Sequence, residues 1–275
     1  MALPKHMEDF VTAMQQVYQF PMTVDEKLDW RPPPMKDGHR GRYLWTDAFG
    51  VFNFITLSKE TSQPHFLVLA AILVETVHGV LGRTRDLSAR LPGASDETPL
   101  SGGLRIGKNE ASGSDGDGQY HHYLTLWMLA LNRLSIASGE KKYNDQAISL
   151  ARATHPAFMY QRDAPRPQMV WDDWAKQLAA AAIRDMRILF HESHYLDLPT
   201  AQRLAFREFG TCLGIRVHPI AELEPVAKHI ITDWEGASRV PIPKKNVEME
   251  SLEPMDLVMY AAALCPGAFK RNYLN

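Results

Sequence analysis

Cysteine is nearly absent from this sequence, which contains only Cys212 and Cys265 among its 275 residues. Two cysteines cannot build a disulfide scaffold, and they supply too few ligands for a cysteine-based zinc site. Both stand among apolar neighbours, a pattern that predicts reduced side chains packed in the core. This composition favours an intracellular protein, and we expect a cytoplasmic location.

Long apolar runs are missing as well, and so is an excess of charge of one sign. The longest apolar run covers residues 66–74, whereas a membrane-spanning helix needs about 20 such residues. The N-terminal segment lacks the apolar core of a signal peptide. Thirty basic and 32 acidic residues give a net charge of −2, which leaves no basic excess for nucleic acid or an anionic membrane. The expected partner is therefore a small-molecule substrate, with no nucleic acid and no membrane.

Apolar side chains recur at helical spacing through most of the chain, and proline, glycine or polar residues separate the segments. Residues 82–118, which include eight glycines, are predicted to form one long loop. The pattern contains no convincing series of strands. It predicts a single all-α domain over residues 1–275, built from antiparallel helical hairpins. The nine predicted helices cover residues 4–20, 46–60, 64–81, 119–138, 143–155, 171–190, 200–213, 219–234 and 253–264.

The segment 41–50 combines aromatic and charged side chains over a few positions. Tyr43 and Trp45 offer flat faces to a sugar ring or a similar semi-polar ligand, while Arg42 and Asp47 offer directional hydrogen bonds. Two simpler interpretations stay open, because Asp47 could cap the helix that it opens and Trp45 could anchor the core.

A second informative segment is rich in glycine and covers residues 102–108 and 114–123. Its glycines allow the backbone to approach a ligand closely, and Arg105 and Lys108 would hold an anionic group of that ligand. Asp117 stands just before a helix, where it could also be an N-cap. The acidic residues do not continue as a calcium loop, and adjacent histidines point apart on a helix, so no metal or cofactor is predicted.

Together, the two segments place Asp47 and Asp117 at the starts of two helices. If both helix starts face one opening, these carboxylates would act as general acid and base on a bound substrate. The sequence leaves their separation open. The side chains expected to bind the substrate are aromatic, basic or amide groups in or just after the two segments: Arg42, Tyr43, Trp45, Arg105, Lys108, Gln119, Tyr120, His122 and Trp127.

These motifs resemble the six-hairpin glycosidase-like superfamily, whose members form an (α/α) toroid with a funnel-shaped site at one end. Trp45-Thr-Asp47 is similar to the W-x-D element of unsaturated glucuronyl hydrolases, in which aspartates act as acid and base in the hydration of an unsaturated uronide. The closer resemblance is to an uncharacterised bacterial and fungal family in that superfamily, and it implies no established activity. Its motifs are GRYLWTDAFGVFNF, GGLRIGK, DGDGQYHHYLTLWMLALNRLS and RLAFREFG.

The number of predicted helices departs from that superfamily. Six hairpins contain twelve helices, whereas the pattern predicts about nine, and residues 162–199 look short for the family. Helices of about 11–12 residues with their connections would crowd twelve helices into this chain. We therefore expect a shortened toroid that is open or incomplete.

Three functions are compatible with these features. The first is an enzyme with a funnel-type site that acts on a carbohydrate or another polyhydroxylated, neutral or acidic, substrate by carboxylate acid/base catalysis, as glycoside hydrolases do. The second is a non-hydrolytic isomerase or cyclase of secondary metabolism with an aromatic-lined cavity. The third is a non-catalytic binding protein on the same frame. Self-association into a homo-oligomer is expected if a missing hairpin leaves an apolar face exposed.

Overall fold

The computed structural model describes residues 3–23, 29–36, 38–113, 116–160, 168–169, 194–219, 221–238 and 252–275. Two-residue strands, Met159–Tyr160 and Gln168–Met169, form a short antiparallel ladder. All other regular structure in these ranges is helical, which confirms the all-α prediction. The helices are α1 Lys5–Tyr18, α2 Leu44–Thr61, α3 His65–Leu81, α4 His121–Ser138, α5 Lys141–Phe158, α6 Ala205–Val217, α7 Glu224–Ser238 and α8 Pro254–Leu264.

Most predicted helix boundaries lie within a few residues of the observed ones, and the departures have local causes. The helix predicted to end at His155 continues to Phe158, with Pro156 inside its last turn. The helix predicted from Thr200 begins at Ala205, since Thr200–Gln202 forms a separate 3-10 turn. The predicted helix 171–190 lies outside the described residues.

Helix α2 lies at the centre of the described helices. It packs against its hairpin partner α3, and also against α4 and α8. Its side chains are buried almost all round, as expected for a helix that is apolar on every side. One buried polar side chain of this helix reaches α8, since Asn53 Nδ2 donates to the Val258 carbonyl at 2.9 Å. This contact fixes the two central helices against each other.

Helical hairpins surround this centre. Helix α4 packs along α5, α6 packs along α7, and α8 contacts α1, α2 and α6. One hydrophobic cluster includes side chains from all eight helices, which therefore share a core. None of the described helices combines the length and the apolar character that crossing a membrane requires. Closure of the helices into a toroid stays a prediction.

A buried ion-pair network joins the segment before α6 to α7. Arg203 donates to both carboxylate oxygens of Glu208, at 2.9 and 2.5 Å, and to Asp233 at 2.6 Å. The Trp234 indole donates to the same Glu208 carboxylate at 2.9 Å. Arg203 and Glu208 are the first and sixth residues of the RLAFREFG motif, and their side chains are 1% and 2% exposed. The motif therefore fixes the start of α6 on α7.

Residues 82–118 form the predicted loop, and their described part contains no helix. The loop nevertheless packs closely, since Leu104 and Ile106 are fully buried. The Ile106 carbonyl accepts the Leu44 amide at 2.9 Å, and the Ile106 amide donates to Gly118 at 2.8 Å. Gly107 has a φ of +87°, and a Cβ there would overlap the Arg42 carbonyl, so this close approach requires glycine.

Candidate functional site

Five aromatic or imidazole rings meet where α2 and α4 begin, and we call this group the aromatic cluster. Trp45 lies beside Tyr123 and His122, with ring centroids 5.2 and 6.1 Å apart. Tyr43 packs edge-on against Tyr123 at 5.7 Å, and their hydroxyls are hydrogen-bonded. Tyr120 contacts both His122 and Tyr123. His122 is exposed and the other four rings are half-buried, so the cluster faces solvent on one side.

Neighbouring elements hold these rings in place. The Trp45 indole N–H points at the Met259 sulfur of α8, at 3.4 Å, and its ring packs on Phe49 one turn further along α2. The Tyr120 hydroxyl donates to the Gly116 carbonyl at 3.1 Å. The Leu44–Ile106 backbone bond sets the start of α2 against the loop. Three elements therefore fix the orientation of the aromatic cluster before any ligand arrives.

Asp47 is buried on the side of α2 that faces α1. The Tyr18 hydroxyl donates to Asp47 Oδ1 at 3.2 Å, and Arg42 Nη1 lies 3.3 Å from the same oxygen. Its side chain has no exposed surface. The residue before α2 is Tyr43, which makes no side-chain cap, so the alternative of Asp47 as the cap does not describe this helix start.

Arg42 is directed into the protein. Its side chain is 2% exposed. Besides Asp47, the guanidinium donates to the carbonyls of Pro33 and Gly41. The guanidinium therefore donates to groups of the protein itself.

Asp117 binds four donors from the long loop. Arg85 Nη1 donates to Oδ2 at 2.5 Å, and Arg105 forms a second ion pair with the same oxygen. The backbone amides of Gly107 and Lys108 donate to Oδ1 at 2.8 and 3.2 Å. The side chain has no exposed surface. This residue is not the N-cap of α4, since that position is occupied by Tyr120.

Arg105 and Lys108, which were expected to hold an anionic group, take part in the same network, Arg105 through its guanidinium and Lys108 through its backbone. The Arg105 guanidinium also donates to the carbonyls of Arg83 at 2.7 Å and Val80 at 3.0 Å. The Lys108 carbonyl accepts from Arg85 at 2.9 Å. Asp47 and Asp117 therefore lie in two separate networks, one beneath α2 and one inside the loop.

The two remaining predicted residues lie at different depths. The exposed Gln119 amide donates to the Gly102 carbonyl at 3.0 Å. Trp127 is fully buried on α4, and its indole donates to Nε2 of the buried His78 at 3.1 Å. Burial, with a smaller effect of the Arg90 charge, lowers the pKa of His78 to about 3. The structure thus groups Tyr43, Trp45, Tyr120 and His122, and leaves Trp127 in the core.

Sequence reasoning missed three residues that complete these groups. Tyr18 and Arg85 are the distant partners of the two carboxylates, and no local pattern marks either of them. Tyr123 belongs to the aromatic cluster and directly follows the adjacent histidines, so its position in the first turn of α4 was a usable signal. In the described ranges, no three His, Cys, Asp or Glu side chains lie close enough to hold a metal ion.

No protein-family model, curated protein or solved structure matches this chain.

Proposed function

We propose that the chain binds a carbohydrate or another polyhydroxylated molecule at the aromatic cluster. The observation that carries this proposal is the position of four half-buried rings and one exposed imidazole at the shared start of α2 and α4. Flat rings offer an apolar surface to the C–H face of a sugar, and the tyrosine hydroxyl oxygens retain lone pairs that can accept from its hydroxyl groups. A site that is ordered before binding loses less entropy when the ligand arrives.

Carboxylate acid/base catalysis at this site is the second part of the proposal. Asp47 supports it by position, because it lies in the first turn of α2, two residues after Trp45. Asp47 and Asp117 have no exposed side-chain surface. Turnover by this pair therefore requires that ligand binding rearranges the start of α2 or the loop. Without such a rearrangement, the two carboxylates support the frame of a binding protein.

The first experiment measures binding by isothermal titration calorimetry with methyl β-D-glucoside and methyl β-D-glucuronide. Trp45→Ala should weaken binding about tenfold, which corresponds to about 1.4 kcal/mol, because it removes the largest flat apolar face of the aromatic cluster. Tyr273→Phe is the matched control, since Tyr273 contacts Glu60 and lies in the C-terminal tail. Equal affinities in the wild type and Trp45→Ala, with both folded by circular dichroism, would contradict the proposed site.

A second experiment separates catalysis from binding. Asp47→Asn is nearly isosteric, and its hydrogen bond from Tyr18 can persist. If Asp47 is catalytic, this variant should lose turnover of the sugars bound by the wild type while retaining their affinity. Unchanged turnover would reject the catalytic role. Binding of apolar terpenoid-like compounds, with no response to either sugar, would favour the isomerase or cyclase instead.

A further inference from the structure

We propose that the 3-10 turn His39–Gly41 and the long loop form a second binding site, which takes the dianionic phosphate group of a small molecule. Its donors are the side chains of His39, Arg40 and Arg85. None of the three belongs to the aromatic cluster, so this inference does not depend on the proposed function. The argument for it is an arrangement of cations that the described residues balance only in part.

Backbone hydrogen bonds fix the turn against the loop. The His39 amide donates to the Gly107 carbonyl at 2.7 Å, and the Gly41 amide donates to the Gly38 carbonyl at 2.8 Å. At the centre of the turn, Arg40 has a φ of +56°, a left-handed conformation that a residue with a Cβ rarely adopts. Such strained positions cluster at ligand sites. The turn therefore presents an exposed arginine directly after a half-buried imidazole.

The Arg85 guanidinium is oriented by the loop but keeps donors for a ligand. Its Nη1 donates to the Lys108 carbonyl at 2.9 Å and to Asp117 at 2.5 Å, and its Nη2 donates to the Asn109 carbonyl at 2.7 Å. An arginine has five N–H donors. The Nε hydrogen and the second Nη2 hydrogen have no acceptor among the described residues. Because the side chain is 28% exposed, an anion can bind these donors while Asp117 keeps its ion pair.

His39 contributes a neutral donor to the same place. Arg105 Nη1 lies 3.5 Å from His39 Nδ1. A guanidinium can only donate, so Nδ1 accepts and the imidazole proton lies on Nε2. Burial, followed by the charges of Arg85 and Arg105, lowers the pKa of His39, which agrees with a neutral ring. Its Nε2–H can therefore donate to a phosphate oxygen.

The charged groups that act on His39 are mostly positive. Arg40, Arg85 and Arg105 contribute three positive charges. Asp117 contributes one negative charge, which leaves an excess of two positive charges among these described groups. A phosphate dianion balances this excess, whereas a carboxylate balances half of it. Guanidinium groups also match the geometry of phosphate oxygens.

The nearest acidic residue in sequence does not supply the missing negative charge. Asp86 follows Arg85, but its carboxylate is exposed and accepts from the Thr84 hydroxyl at 2.5 Å and from the Ser88 amide at 3.1 Å. The positive excess is also local, because the whole chain carries a net charge of −2. A local excess suits one phosphate group of a small molecule and not an extended polyanion.

The test measures binding of inorganic phosphate and glycerol 3-phosphate by calorimetry at about pH 8, where phosphomonoesters are dianions. Glycerol, and sodium chloride at the same ionic strength, should give no binding. Arg40→Gln should weaken the affinity for both phosphates about tenfold or more, the scale of one charge-assisted hydrogen bond, and Arg40→Lys should recover part of it. Arg152→Gln, the same exchange at an exposed arginine of α5, is the matched control and should bind as the wild type does.

NMR gives the position of the bound phosphate independently of affinity. The ring resonances of His39 should shift on addition of phosphate. Those of His194, whose ring is 87% exposed and bonded to Asp197, should not. Circular dichroism of each variant should match the wild type, because Arg40 and Arg152 are exposed.

Each outcome supports or overturns the phosphate site. Failure of both phosphates to bind the wild type would overturn it, and so would equal affinities in Arg40→Gln and the wild type. An equal loss in Arg152→Gln would assign the effect to overall charge and reject the site as well. Tighter binding of glycerol 3-phosphate than of inorganic phosphate would identify an ester as the ligand, and the reverse would identify free phosphate. Binding of methyl β-D-glucoside should be the same in Arg40→Gln and the wild type, so failure of one proposal leaves the other intact.

Discussion

Acidification should destabilise this protein through one buried histidine, His78. The ring is 4% exposed and accepts a hydrogen bond from Trp127 at Nε2, so a proton at that atom would face another N–H group. Its Nδ1 is buried with no hydrogen-bond acceptor among the described residues. An imidazolium there would have two unsatisfied donors in an apolar core, which explains why the pKa falls to about 3.

The magnitude follows from the difference between the folded and unfolded pKa values. The unfolded chain binds a proton at His78 near its ordinary pKa of 6.5, well before the folded protein does. Above that pH, His78 is neutral in both states and its titration costs no stability. As pH falls from there toward 3, the unfolded chain alone takes up the proton, and the free energy of unfolding decreases. Each unit of pH in this window costs about 1.4 kcal/mol. Between about pH 7.5 and about pH 5 the expected loss is ~2 kcal/mol of unfolding free energy.

Urea unfolding of the wild type and His78→Gln at both pH values measures this loss. Glutamine does not titrate, and its carbonyl can accept the Trp127 indole, so the fold is expected to survive the change. All other titrating groups are common to the two proteins, and their effects cancel in the difference. The unfolding free energy of the wild type should fall by ~2 kcal/mol more than that of the variant over this pH range.

Two further variants serve as controls for the pH dependence. Trp127→Phe removes the indole donor but keeps the buried imidazole, so it should retain most of the pH dependence. His194→Gln alters a ring that is 87% exposed, and it should leave the wild-type dependence unchanged. Equal losses of unfolding free energy in His78→Gln and the wild type between the two pH values would show that His78 does not remain neutral in the folded protein.

Three other contacts can be tested by single variants, two of them with a double variant as well. Asp117→Asn leaves two arginines without their carboxylate, so thermal denaturation should show a loss of about 3 kcal/mol or more, with faster proteolysis of residues 82–118. Arg203→Met should cost about 3–5 kcal/mol because Glu208 stays buried, and Arg203→Met/Glu208→Leu should recover part of the loss in urea unfolding. Gly103 has a φ of +82°, and a Cβ at this position would overlap the Gln119 amide. Gly103→Ala should therefore lower the free energy of unfolding by about 1–3 kcal/mol, and Gly103→Ala/Gln119→Ala should recover part of this loss. No destabilisation in any one of these would contradict the corresponding contact.

The helical architecture was readable from the sequence because hydrophobic periodicity is a local signal. Each predicted helix within the described ranges has an observed counterpart, and the predicted loop 82–118 contains no helix in its described part. The boundaries were less accurate where tertiary contacts decide them. Helix α6 begins after Leu204 and not at Thr200, because Arg203 is bound to Glu208 and Asp233. Asp233 lies in a different helix, so no local pattern shows this contact.

The candidate site was only partly readable, for a similar reason. The aromatic residues near the starts of α2 and α4 are close in sequence to the helix starts, so their grouping could be predicted in outline. The surroundings of Asp47 and Asp117 could not, because Tyr18 and Arg85 come from distant positions. A carboxylate near a helix start has the same local pattern whether it faces solvent or an arginine. Only the fold distinguishes these two environments.

The four donors collected by Asp117 have a consequence for amide hydrogen exchange. An irregular loop is ordinarily among the first segments to exchange, because its amides open without unfolding the core. Here the amides of Gly107 and Lys108 donate to the Asp117 carboxylate, which also forms ion pairs with Arg85 and Arg105. Releasing them requires the ion pairs to separate together. We expect these two amides to exchange as slowly as those of the buried helices, in a segment without regular secondary structure.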